Sequence, residues 1–227
     1  MHIPDGFLDP KVWGPLWGVS GGTTAYALYK VRDRMSGAKI PLLGITAAFI
    51  FAAQMLNFPV AGGTSGHFLG AILACVLLGP WEGMLTITVV LAVQCFFFAD
   101  GGLTALGANI FNMAIVGGLV SYGLLRLAQK PLIGRLGEKA SLLTMTPLFA
   151  WFSVVLAATA CSFELALAGT VPLGVAFPAM AGVHCLIGIG EAIITTIVIA
   201  VVLQARPDLV NAYNGPSLTL PTVAQEV

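Results

Sequence analysis

The sequence predicts an all-α integral membrane protein of seven transmembrane helices, N-out and C-in, with a pocket recessed into its outer face. Three observations predict it. Of 227 residues, 58% are apolar and only 9% charged, whereas a soluble domain runs near half apolar and about a quarter charged. Charged and Pro/Gly-rich breaks divide the chain into apolar stretches near 12–30, 40–57, 67–79, 81–99, 103–126, 141–168 and 178–204; a helix needs about 20 such residues to cross a bilayer. With the N-terminus outside, Lys30, Arg32, Arg34, Lys39, Arg126, Lys130, Arg135, Lys139 and Arg206 fall at inner membrane edges and Lys11 alone at an outer one, a strong positive-inside bias. Residues 1–204 form a single unit, and 205–227 a polar cytoplasmic tail, loosely held from Asn211 onward.

The opening MHIPDGFLDP carries two acids, two prolines and no Lys or Arg, unlike the cationic start of a secretory signal, so the N-terminus is expected to be mature as written. The bulk of His2 predicts that the initiator Met1 is retained. In the second stretch, Gly44, Ala48 and Ala52 recur at four-residue steps, a small-residue pattern that lets helices approach closely and could seat a partner.

The third stretch is too short to span alone: its 13 residues rise about 20 Å against a hydrocarbon core of about 30 Å. The loop before it, Pro59-Val60-Ala61-Gly62-Gly63-Thr64-Ser65-Gly66-His67, is therefore expected to sink below the outer surface, where protein or a cavity must cover its backbone. His67 stands at the wall of the resulting pocket and opens the third helix, whose dipole disfavours imidazolium.

The later stretches carry few polar residues. Asp100 closes a helix in Ala99-Asp100-Gly101-Gly102 and reads as solvated. Asn109 and Asn112 share one helical face, suited to cross-linking helices or holding the N-terminal segment. His184 and Glu191, seven apart, also share a face and point to a His–carboxylate bond between helices or a supporting role near a ligand. Gln54, Asn57, Gln94 and Glu164 complete the set. Phe96, Phe97 and Phe98 read as lipid-facing, and Cys75, Cys95, Cys161 and Cys185, each inside an apolar run without CxxC spacing, as core thiols.

Several function classes drop out. A formal charge of zero leaves no basic surface for nucleic acid. The chain contains no GxxxxGK[ST], so it does not hydrolyse nucleotide itself, and no HExxH or GxSxG.

The histidines carry the remaining chemistry. His2 alone would be a solvated terminal residue, but a free α-amino group on Met1, the amide nitrogen of His2 and its imidazole can close two fused chelate rings on one metal, once amine and amide have lost protons. Three nitrogens then lie near one plane, an arrangement that suits Ni(II) or Cu(II) rather than tetrahedral Zn(II). His67 can fill the fourth corner if residues 1–11, with Ile3 and Phe7 as apolar plugs and Pro4 to turn the chain, fold into the pocket. Binding of this kind displaces protons and weakens as pH falls. The sequence does not identify an acid to compensate the cation.

MHIPDGFL, the GGTSGH loop ending at His67, FADGGLTALGANIFNM from Phe98 to Met113 and HCLIGIGEA from His184 to Ala192 resemble the CbiM/NikM family, the substrate-specific membrane subunits of energy-coupling-factor (ECF) transporters for cobalt and nickel. The resemblance covers nearly the whole span region. It implies seven helices that take Ni(II) or Co(II) from outside as transported substrate, without organic cofactor, through the Met1 amine, the His2 amide and imidazole, and His67. It implies partners in a prokaryotic cell membrane: a transmembrane coupling subunit, two ATP-binding-cassette ATPases and often a small auxiliary membrane subunit, with the substrate subunit toppling in the bilayer to release metal. A rival reading is a self-sufficient secondary carrier or channel using Asp100, Glu164, Glu191 and His184 as a proton path; another is an intramembrane metal enzyme using His67, His184 and Glu191.

Overall fold

A computed structural model describes residues 1–33 and 39–214. Arg34, one of the predicted inner-edge cations, and the tail from 215 on lie outside the described residues. Seven helical rods follow the order of the seven apolar stretches. They are α1 (Pro10–Val31), α2 (Lys39–Gln54), α3 (Ala71–Leu78), α4 (Pro80–Phe98), a continuous rod made of α5 (Leu106–Ile110), a π-helical segment (Phe111–Val120) and α6 (Ser121–Leu136), then α7 (Glu138–Leu167) and α8 (Leu173–Ala205). Four of them, Pro80–Phe98, Leu106–Leu136, Glu138–Leu167 and Leu173–Ala205, are long and apolar enough to cross a membrane.

Local chemistry sets the boundaries. Asp9 accepts a hydrogen bond from the Lys11 amide at 2.8 Å and Pro10 begins α1, the arrangement that satisfies orphan amides at a helix start. Helix α3 is shorter than the sequence suggests and starts four residues after His67, so His67 does not open it. The buried Glu191 carboxylate of α8 closes its N-terminal end instead, accepting from Leu69 N and Gly70 N at 2.8 Å each. These bonds satisfy the amides that open α3, and His67, outside the helix, does not stand at its first turn as expected from sequence.

All eight side chains of α3 are buried, so it forms the centre of the bundle rather than a wall. The chain before α3 is a loop that enters the bundle rather than more helix, with Val60, Gly66 and His67 buried. There β1 (Phe58–Pro59) and β2 (Ser65–Gly66) make a two-residue antiparallel ribbon, Phe58 opposite Gly66 and Pro59 opposite Ser65, which carries Ser65, Gly66 and His67 inward. At the other end of α3 the carbonyls of Val76 and Leu77 accept from Ala212 N and Asn211 N at 3.0 Å each. Residues Val210 and Ala212 are buried, so the beginning of the tail is packed into the bundle and not loose as predicted.

Helices α7 and α8 pack along most of their length. Phe96, Phe97 and Phe98 are exposed, as a lipid-facing run requires, and so are Gly44, Ala48 and Ala52 on α2. The four cysteines are free thiols.

Candidate metal centre

The N-terminal segment runs inward and ends in the bundle: Met1 and Ile3 are 0% exposed and His2 4%. Apolar burial of Met1 and Ile3 drives this entry, and hydrogen bonds register it. Ile3 N donates to Asn109 Oδ1 at 2.8 Å, while its carbonyl accepts from Asn109 Nδ2 at 3.2 Å and from Gly102 N at 2.8 Å. Asn109 thus holds the N-terminal segment, and Asn112 cross-links helices by donating to Glu164 Oε2 at 2.6 Å; the two roles weighed for this pair are divided between them. Gly102 is required by this docking, because a Cβ there would meet the backbone of Asp5 and lie 2.6 Å from the Pro4 carbonyl carbon.

The first two residues rest on Ser65. The Met1 amine donates to the Ser65 carbonyl and, at 2.8 Å, to its hydroxyl, which also accepts from the His2 amide at 3.1 Å. The two nitrogens therefore face one side, with the amine and amide oriented together. The rings of His2 and His67 are stacked, with centroids 4.5 Å apart and planes inclined by 27°. His67 Nδ1 donates to the Phe68 carbonyl at 2.7 Å, which leaves the Nε2 lone pair free, and this buried atom has no hydrogen-bond partner among the described residues. His2 Nε2 donates to Gln94 Oε1 at 3.1 Å. Its Nδ1 likewise has no hydrogen-bond partner and lies 3.4 Å from Asp100 Oδ1.

Burial keeps these groups uncharged. It pushes the Met1 amine down to about 5 and the His2 imidazole to about 3, the latter also opposed by the neighbouring amine, and it holds His67 well below the ordinary imidazole value. His2 Nδ1 thus presents a lone pair, not a proton, to the Asp100 carboxylate, and a cation between them would relieve that opposition. Asp100 is not a solvated helix end. Its side chain is 16% exposed, Asn57 donates to its Oδ2 at 2.8 Å, and burial raises its pKa. It is the acid near the site that sequence reasoning did not identify.

His184 is fully buried on α8, its Nδ1 donating to the Met180 carbonyl at 2.6 Å. Both Glu191 oxygens are taken by the backbone before α3, so the predicted His–carboxylate bond is not made. Among the described residues, Asp100, Glu164, Glu191 and His184 form no hydrogen bonds to one another, and no three His, Cys, Asp or Glu side chains gather at metal-binding range. What converges instead is a mixture of main-chain nitrogen and two imidazoles. Ser65 and Asp5, which anchors the same segment, were not singled out by sequence; the only hint of Ser65 is its place in GGTSGH.

The centre thus joins a buried N-terminus to paired imidazoles among long apolar helices, the setting of a membrane protein. Residues 2–209 match the family described as the cobalt uptake substrate-specific transmembrane region, CbiM. The chain belongs to this family. It is 42% identical, over 99% of its length and 73% of the relative's, to a putative fused nickel transport protein of Archaeoglobus fulgidus. It is 40% identical, over 57% of its length and 53% of the relative's, to a cobalt transport protein of Acetohalobium arabaticum. The crystal structure of a truncated transition metal transporter superposes with a TM-score of 0.82 at 33% identity, covering 90% of this chain and 99% of that one. The chain is a cobalt/nickel transport membrane protein of the CbiM/NikM type.

Proposed function

We propose that the protein is the metal-capture subunit of an ECF-type ABC importer, taking Ni(II) or Co(II) from outside a prokaryotic cell through seven spans arranged N-out and C-in. The observation that carries the reading is the juxtaposition of four nitrogens: the Met1 amine and His2 amide on one side of Ser65, the free Nδ1 of His2, and the free Nε2 of His67 from the stacked ring. The amine, amide and Nδ1 close a five- and a six-membered chelate ring, and His67 supplies the remaining corner. Two imidazoles bound at adjacent corners of a square, with bonds of about 2 Å, have centroids about 4.4 Å apart, which compares with the 4.5 Å separation of these rings. Planar four-nitrogen coordination favours Ni(II) over Co(II), and Asp100 offsets the cation's charge.

The family resemblance assigns ATP hydrolysis to two partner ATPases joined through a transmembrane coupling subunit, with a small auxiliary membrane subunit, and the lack of a nucleotide-binding motif in this sequence agrees with it. The exposed small-residue face of α2 suits close approach by a partner helix. The carrier and enzyme readings both leave the N-terminal amine idle, and the experiment follows from that difference. Acetylating Met1, or adding one residue before it, is expected to weaken nickel binding at least a hundredfold in calorimetry of the purified subunit; undiminished affinity overturns the terminal chelate.

A further inference from the structure

The capture reading, on which this inference rests, leaves a kinetic question. Met1, His2 and His67 are at most 4% exposed, so an ion reaches them only when the segment that carries two of them moves. The buried part of that segment is held by Asn109 and Gly102. Its exposed shoulder is held at two points: the Phe7 carbonyl accepts from the Thr170 hydroxyl, and Asp5 makes the larger set of bonds. Asp5 Oδ1 accepts from the Thr104 amide at 2.7 Å and the Thr104 hydroxyl at 2.5 Å, and Asp5 Oδ2 accepts from the Leu103 amide at 3.0 Å. These bonds tie the segment to the loop after α4. The Thr104 hydroxyl holds the Asp5 carboxyl below its ordinary value, so it is ionised and its three bonds are charge-assisted. Next to it Gly6 has φ +82° with no atom within 4 Å of a would-be Cβ, so glycine serves backbone conformation there rather than space. Beyond it Asp9 anchors α1. The segment is built as an arm, pinned at Asp9, turned at Gly6 and fastened on its outer side at Asp5.

We propose that Asp5 is the positioning residue that latches the ligand-bearing arm to the Leu103–Thr104 loop and so sets how fast metal enters and leaves. Among the described residues the Asp5 carboxylate bonds only to Leu103 and Thr104 and to neither ring nor either proposed chelating nitrogen, so the latch proposed here is common to the metal-free and metal-bound states. An interaction common to both states cancels from the binding equilibrium and appears in both rates. Asp5→Ala is therefore expected to raise nickel association and dissociation at least tenfold each, with Kd changed less than threefold. Association is followed with nickel chloride by stopped flow, and dissociation by dilution into excess EDTA. Thr104→Val, which removes one of the three donors, shifts both rates the same way by about threefold and serves if Asp5→Ala does not fold. A metal-independent readout is acylation of the Met1 amine in the metal-free protein, resolved from lysines by peptide mass spectrometry; Asp5→Ala should speed it at least tenfold. Unchanged rates and unchanged acylation overturn the latch, and so does weaker affinity without faster association, which would make Asp5 a support of site geometry. If the wild-type protein binds no nickel, the capture reading fails and acylation alone decides the role of Asp5.

Discussion

At the scale of the residue, the docked N-terminus couples protonation to folding. A free amine binds a proton below about 8, whereas the Met1 amine in its buried position does so only below about 5. Between these values the undocked state holds one more proton than the docked state, so docking gains free energy as pH rises, by about 1.4 kcal/mol per unit. His2, lowered from 6.5 to about 3, adds a second proton below 6.5. The stabilisation is complete above pH 8, is lost slowly to 6.5 and faster below. Comparing thermal unfolding of the metal-free protein with and without Met1 acetylation cancels the other titrating groups: the Tm of the free-amine protein relative to the acetylated one should rise between pH 6.5 and 8 and level off above. A relative Tm that falls over that interval contradicts the burial of an uncharged amine. The proposed ligands could be named from sequence because Met1-His2 supplies three nitrogens by covalent connection alone. Ser65, Gln94 and Asp100 were not, since an acceptor's role depends on which distant donor the fold delivers to it.

At the scale of the element, the short α3 makes the site. A full-length helix in its place would put side chains where the ribbon and the arm now meet; eight residues leave room for the ribbon that carries Ser65 and His67 and for the N-terminal arm that contacts both. The deficit in length was readable from residues 67–79 and the recessed loop followed from it. The position of His67 outside the helix was not, because the start of α3 is fixed by Glu191, more than a hundred residues away, and no local cap marks it. The π-helical turns from Phe111 to Val120 were equally hidden, since FNMAIVGGLV has the composition of an ordinary span. The closest backbone approach lies at Gly102, where the loop after α4 lies against Pro4 and Asp5. Gly102→Ala is expected to expel the arm while leaving the helices packed, since the added methyl meets backbone rather than a movable side chain. Nickel affinity in calorimetry should fall at least a hundredfold with far-UV circular dichroism unchanged; retained affinity would show that the arm tolerates a shifted register.

At the scale of the whole molecule, polar chemistry is divided between the two ends of the bundle. The end with the arm, the ribbon and Asp100 gathers lone pairs and one carboxylate around a closed centre. At the other end Arg126 donates to the Ala212 carbonyl at 2.5 Å, Asn214 donates to Glu138, and the tail covers the last carbonyls of α3. That end also carries Lys130, Arg135 and Lys139 around the junction of α6 and α7, and Lys39 and Arg206 near the tail. The positive-inside rule predicts that the basic end lies in the cytoplasm and the nitrogen-rich end outside, the side from which the proposed capture takes metal. The orientation is testable by labelling intact cells with a membrane-impermeant maleimide. A Lys11→Cys variant should react in whole cells, and a Lys139→Cys variant only after lysis, each measured above the background of the four native thiols. The reverse pattern would place the candidate centre on the cytoplasmic side and remove the basis for import from outside.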